Sequence, residues 1–298
     1  MTTALDVGNA YWTHRAAVGA EADRIRAMAR IVDAPTSLSL PQWAMLMSVV
    51  MEFKPDLVIE LGRGNGNSTC AFAEAAALAG LDTRVLSICR SRTWGGVSKQ
   101  LRPIMSEEWF ARIDARQGNI VGFPFAREIG DARRVLVFWD AHGFEVASEV
   151  LTQILPVLAS REHLVLMHDI SDTRYDERDP AYEHPIWSGE HADGHYFRIA
   201  NMESSVGQAI AILDFAGRNR LPLRTADESI DGAVVQSGRE GEMQAALGDL
   251  YSSRGHFTYF SLAEAERQPL TFPPPLEERS PGLLRRVKQA ILVLLGYA

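Results

Sequence analysis

The chain alternates short apolar runs with longer stretches in which apolar residues recur every three or four positions. Glu21 to Val32 places Ile25, Met28, Ala29 and Val32 on one helical face, and Pro35-Thr36-Ser37 interrupts it. Pro41 suits a helix start, and Trp43, Leu46, Met47, Val50 and Met51 continue that helix to Lys54-Pro55-Asp56. Leu57-Val58-Ile59-Glu60-Leu61 is a compact β-branched run, as expected for a strand covered on both faces. A helix is expected over Cys70–Ala79, then strands at Thr83–Ile88, Ile113–Arg116, Val135–Trp139 and His163–Met167, with a helix over Glu145–Leu158. A further helix near Ser205–Gly217 and strands at Leu221–Thr225 and Thr258–Leu262 complete the pattern. Strands alternating with helices predict an α/β fold, a doubly wound and mostly parallel sheet.

The rhythm divides the chain into three parts. Residues 1–53 form an N-terminal helical region, 54–275 the main domain with an insertion at 171–200, and 276–298 a C-terminal amphipathic helix. The insertion mixes acids, arginines, His184, His191 and His195 with Tyr175, Tyr182, Trp187, Tyr196 and Phe197. A stretch of that length and aromatic content is expected to be a lid. In the tail, Leu283, Leu284, Val287, Ile291, Leu294 and Leu295 share one helical face. Such a face either touches a membrane surface or partner, or packs on its own domain or a second subunit.

Composition narrows the classes. At 298 residues with 46% hydrophobic and 23% charged residues, the chain has an ordinary globular make-up. Its net charge of −8 opposes a nucleic-acid partner, and two cysteines, Cys70 and Cys89, are too few for a disulfide framework. No leader-like apolar segment interrupts the start and no run approaches a membrane span, so the expected location is cytoplasmic.

The densest chemistry follows the first strand. Gly62, Gly64 and Gly66 alternate after Glu60, with Ser68-Thr69 available to cap the next helix. Glycines at a strand–helix junction let the backbone turn sharply and approach a ligand. A dinucleotide fingerprint needs glycine at position 67, where Asn67 stands, and a P-loop lysine is missing. An acid at position 60 suits a cationic amino-acid moiety better than a pyrophosphate.

This spacing resembles the nucleotide-binding motif of class I S-adenosylmethionine-dependent methyltransferases. Lys54-Pro55-Asp56, Gly66-Asn67-Ser68-Thr69, Val137-Phe138-Trp139-Asp140-Ala141-His142 and Leu166-Met167-His168-Asp169-Ile170 look like the small-molecule O-methyltransferases related to the cephalosporin-hydroxylase-like and macrolide-sugar groups. The resemblance implies a seven-stranded Rossmann-like sheet with an antiparallel last strand, S-adenosylmethionine as cofactor, a small-molecule acceptor and a homo-oligomer. It implies cofactor contacts from Glu60, Gly62, Gly64, Gly66, Ser68, Asn119 and Asp140. Two positions depart from the family. Ser87-Ile88-Cys89-Arg90 lacks the ribose-binding acid, and Gly118-Asn119 replaces Gly-Asp near the adenine, where an Asn carbonyl can still accept.

Asp140 and the His168-Asp169 pair stand at adjacent strand ends, the edge where open α/β sheets gather ligands. A hydroxyl acceptor is activated by a base or by a divalent ion. Asp140, His168 and Asp169 are therefore candidate metal ligands, for magnesium by the resemblance, and His142 and Asp140 candidate catalytic groups. His168 is a softer ligand than the family's usual acid, so a site without metal stands beside the metal reading. Alternatives for the whole chain are an inactive methyltransferase-like scaffold and a nucleotide-dependent oxidoreductase.

Overall fold

The computed structural model describes residues 5–33, 38–168 and 196–275, with backbone alone for 196–207. Seven strands form one sheet in the order β3-β2-β1-β4-β5-β7-β6. They are β1 (Leu57–Leu61), β2 (Arg84–Cys89), β3 (Ile113–Gln117), β4 (Arg134–Trp139), β5 (Glu162–His168), β6 (Arg224–Thr225) and β7 (Phe257–Phe260). β1 to β5 pair in parallel, and β7 lies antiparallel to both β5 and β6. The doubly wound, mostly parallel architecture and the reversed last strand are thus as expected.

The strands' two-residue period sorts the core into two layers. Val58, Val85, Leu136, Phe138, Leu164, Leu166, Phe257 and Tyr259 face α1 (Val7–Ala20), α2 (Ala22–Val32), α3 (Leu40–Phe53) and α4 (Asn67–Leu78). Leu57, Ile59, Leu61, Ile88, Val137, Trp139, Val165 and Met167 face the other way. There they meet α7 (Phe125–Ile129), α8 (Phe144–Glu149), α9 (Leu155–Leu158) and α10 (Tyr196–Asn219). On the first face, α3 is buried almost throughout, and its Trp43, Met47 and Val50 share a core with Phe72 of α4. Residues 5–33 and 38–53 therefore contribute to the core layer on one face of the sheet.

Several boundaries differ from the pattern in the sequence. α8 and α9 are joined by a wide π-helical turn, Val150–Ile154, just before Pro156, whose missing N–H and ring obstruct a regular helix. α10 begins at Tyr196, so Tyr196 to Ala200 belong to a helix where an irregular insertion was expected. Residues 169–195, with His184 and His191, and the tail 276–298 lie outside the described residues. β6 is only two residues long, and the expected strand around Leu262 ends at Phe260. Between β6 and β7 come α11 (Ala226–Ile230), a π-helical turn and α12 (Glu240–Leu247). Their Ile230, Val234, Met243 and Leu247 join the core layer that holds α1.

His163 on β5 is a packing residue, buried and neutral in its role. Its Nδ1 donates to the Arg161 carbonyl at 2.9 Å, and its Nε2 accepts the Leu262 N–H at 2.9 Å. Burial pushes this imidazole below its ordinary value. In the window between the lowered folded value and about pH 6.5, the unfolded chain binds a proton that the folded chain refuses. Stability contributed by His163 is therefore full above that window and falls as pH falls through it. Urea denaturation at about pH 7.5 and about pH 5.5 should show this loss, and His163→Gln should flatten it. An equal loss in both proteins would assign the acid sensitivity elsewhere.

Candidate functional site

The site is laid out by the switch in strand order between β1 and β4, where loops after neighbouring strands diverge and leave a crevice. The Asp140 N–H donates to the Leu61 carbonyl at 2.9 Å, carrying the β1–β4 ladder to the sheet edge. Gly62 follows with φ +102°, and a Cβ there would stand 2.5 Å from the Asp140 carbonyl oxygen. Only a glycine lets the two strand ends approach this closely. Gly64 is exposed, with open space on its Cβ side.

Glu60, the last residue but one of β1, is fully buried. Its carboxylate does not open onto the crevice but turns beneath the first turn of α4. There it accepts from the Ser68 hydroxyl, and from the Thr69 hydroxyl at 2.6 Å. Burial pushes the carboxyl above its usual range, while hydrogen bonds from Ser68, Ser87 and Thr69 and the nearby Arg63 charge pull it back. The amide dipoles at the N-terminus of α4 also favour negative charge at this spot. This corrects one expectation. Ser68 and Thr69 do not cap α4, whose N-cap is Gly66, but hold Glu60. Glu60 and Ser68 are thereby hydrogen-bonded to each other behind the loop, Glu60 fully buried.

Arg63 is equally committed. It is 4% exposed, and its Nη1 donates to the Ser87 carbonyl at 2.9 Å and to the Ser87 hydroxyl at 3.0 Å. The guanidinium clips the glycine loop to β2 and offsets the Glu60 charge. Gly66 is buried under the Trp94 ring, where a Cβ would come within 2.3 Å of the indole. Trp94 opens α5 (Trp94–Leu101), and just before it the Thr93 hydroxyl donates to the Gly64 carbonyl at 2.9 Å. From the other side, Asn65 donates to the Asp33 carbonyl, and Asn67 accepts from the Trp43 indole. The N-terminal helices therefore roof the loop, a role that no local pattern announces.

Beyond β2 no acid waits for a ribose. Cys89 is half-buried and Arg90 exposed, and Arg90 donates to the Asn119 side-chain carbonyl at 2.9 Å. That carbonyl, expected to accept from an adenine amine, is thus held by an arginine and, at 3.4 Å, by the Val121 N–H.

The strand-end cluster is partly assembled. Asp140 Oδ1 and His168 Nδ1 are 3.0 Å apart, with side-chain exposures of 23% and 15%. His168 packs on Phe257, and its Nε2 lies 3.2 Å from the side-chain nitrogen of Gln42, a residue of α3. His142 is exposed in the loop after β4. Asp169 lies outside the described residues. Among those described, no three His, Cys, Asp or Glu side chains gather to hold a metal ion.

No family model matches the chain, and no curated protein matches it. Solved structures are similar at low identity. One is a Klebsiella pneumoniae chain described provisionally as an O-methyltransferase, 18% identical, covering 68% of this chain and 80% of its own, with a TM-score of 0.43. Another is a Podospora anserina methyltransferase with bound SAH, 13% identical over 61% of this chain and 72% of its own, TM-score 0.42. A third is TomG from Streptomyces achromogenes, an O-methyltransferase of tomaymycin synthesis in complex with SAM. It is 15% identical over 70% of this chain and 81% of its own, TM-score 0.40. Likeness this distant carries no chemistry from those proteins to this chain.

Two substitutions separate close approach from simple backbone conformation. Gly64→Ala, at φ +54° with open space, should cost about 1–2 kcal/mol. Gly62→Ala adds a collision with the Asp140 carbonyl and should cost roughly 2–5 kcal/mol, conformational and overpacking costs together. Denaturant midpoints at unchanged slope measure both, and equal losses would refute the contact.

Proposed function

We propose that the chain is an S-adenosylmethionine-dependent methyltransferase that O-methylates a hydroxyl of a small molecule or sugar. The observation that carries this reading is the switch in strand order between β1 and β4, where Gly62 is pressed on Asp140 and Gly64 stands exposed. Gly64 leaves its backbone open to an incoming group, and in this respect the residues present fit the cofactor. When bound, S-adenosylmethionine supplies a methyl group already made electrophilic by its sulfonium.

The chain's own work is then alignment and exclusion. The backbone of Gly62 and Gly64 supports the donor's amino-acid part, with Glu60, Ser68 and Arg63 holding that backbone in shape. Asp140 and His142 face the acceptor from the loop after β4. Asn119 and Arg90 close the adenosine end as a pair, a different solution from a ribose carboxylate. Of the expected metal ligands, His168 already has hydrogen-bond partners at both ring nitrogens, which favours a site in which Asp140 and His168 act without a metal.

A second reading has one observation in its favour. The Arg90–Asn119 bond and the lack of an acid after β2 also suit a methyltransferase-like scaffold that no longer binds the donor. Calorimetric titration with S-adenosylmethionine and S-adenosylhomocysteine separates the two readings. The enzyme reading expects saturable binding with a dissociation constant of about 1 μM–1 mM. Gly64→Asn, a residue that tolerates positive φ, should leave folding intact and weaken donor binding by about tenfold or more. Absence of binding to the unaltered protein at millimolar donor would leave the scaffold reading in its place.

A further inference from the structure

The hydrogen bonds around His168 run in one direction, and that direction can be read from heavy atoms alone. Gln42 stands in the first turn of α3 and is 7% exposed. Its side-chain oxygen accepts the Ser39 N–H at 2.8 Å and lies 3.2 Å from the Ser39 hydroxyl. This capping-box bond fixes which way the amide faces. The Gln42 nitrogen is then turned toward the Gly255 carbonyl at 3.4 Å and toward His168 Nε2 at 3.2 Å. An amide nitrogen only donates, so His168 Nε2 is the acceptor and the ring proton sits on Nδ1. That proton points at Asp140 Oδ1, 3.0 Å away. The donors run Ser39, Gln42, His168, and the Asp140 carboxylate accepts at the end.

An imidazole binds a metal through an unprotonated nitrogen. In His168 the unprotonated nitrogen is the one that Gln42 fills, and the other carries a proton given to Asp140. We propose that Gln42 is a positioning residue that fixes the His168 tautomer, commits the ring to Asp140 and so makes this strand-end site metal-free. The inference deepens the methyl-transfer reading and rests on it only for the identity of the substrate. Asp140 Oδ2 has no hydrogen-bond partner among the described residues and lies on a side chain that is 23% exposed. An acceptor hydroxyl is therefore met there by a hydrogen bond, where a metal centre would meet it by coordination.

Gln42→Glu is the discriminating variant. A glutamate keeps an oxygen for the Ser39 N–H, so the capping box survives, but toward His168 it presents an acceptor where the glutamine presented a donor. Long-range proton–nitrogen correlation spectra of histidine-labelled protein, with His168 assigned through His168→Gln, report which ring nitrogen carries the proton. In the unaltered protein His168 should show a protonated Nδ1 and an unprotonated Nε2, and in Gln42→Glu Nε2 should gain a proton while Nδ1 keeps the one it gives to Asp140. Gln42→Met, of similar size without a donor, should leave Nε2 open to partial protonation and serves should the glutamate variant not fold. Titration of the unaltered protein with Mn²⁺ to millimolar concentration should show no saturable uptake. An Nε2-protonated ring in the unaltered protein, unchanged ring protonation in both variants, or Mn²⁺ uptake abolished by Asp140→Asn would each overturn the inference. Donor titration on the same samples keeps the two proposals apart. Failure of S-adenosylmethionine to bind, with the expected tautomers and no Mn²⁺ uptake, would remove the methyl-transfer reading and leave the role of Gln42 standing.

Discussion

A carboxylate with no solvent exposure sits in the middle of this fold, and its neighbours are arranged around the need to keep it satisfied. Removing a carboxylate from water costs several kcal/mol unless hydrogen bonds and an opposite charge replace the lost hydration. Glu60 receives Ser68 and Thr69 from the helix that follows it, Ser87 from the neighbouring strand, and the field of Arg63 from the loop between. These partners come from the loop, the following helix and the neighbouring strand, so satisfying one side chain fixes the end of β1, the start of α4 and the position of β2 together. The turn at Gly62, Gly64 and Gly66 is the backbone's route around that buried charge.

The chemistry grows out of the same constraint. Because Arg63 is spent on Ser87, and Ser68 on Glu60, polar side chains behind the glycine loop are withdrawn from the crevice. What remains at the rim is backbone, with Asp140 and His168 at the neighbouring strand ends. The site thus separates two tasks. The β1 side offers main chain, while the β4–β5 side carries the paired ionisable side chains Asp140 and His168. α3 serves both, holding Asn67 through Trp43 and His168 through Gln42.

Much of the fold was legible because its signals are local. The run Leu57–Leu61 became β1 with those same bounds, and β2, β3, β4 and β5 fell within a residue or so of the apolar runs that announced them. The strand expected over Leu221–Thr225 shrank to two residues, since it pairs only with β7 at the sheet's edge. The segment between β6 and β7 was not read at all, because its helices are short and separated by Gly232, Gly238 and Gly248. Their apolar positions make sense only against α1. In the site, the glycine loop and Asp140 were visible from spacing, and so was the missing acid after β2. Ser68 and Thr69 do not cap α4 because Glu60 takes their hydroxyls across the turn, and Arg90 reaches Asn119 because β2 and β3 are paired. Gln42 could not be found in advance, as its partner His168 stands 126 residues away.

The packing of α1 has a consequence for how the protein comes into being on the ribosome. The Gly8 N–H donates to the Ser229 hydroxyl at 2.6 Å, and the Tyr11 hydroxyl to the Leu250 carbonyl at 2.5 Å. A helix made among the first twenty residues is therefore completed by groups that emerge more than two hundred residues later. At about 5–20 residues per second of synthesis, Val7, Tyr11 and Val18 wait on the order of ten seconds or more before that part of their docking surface exists. During that interval this apolar face of the nascent chain has to be sheltered by something other than α11, α12 and the Leu250 segment.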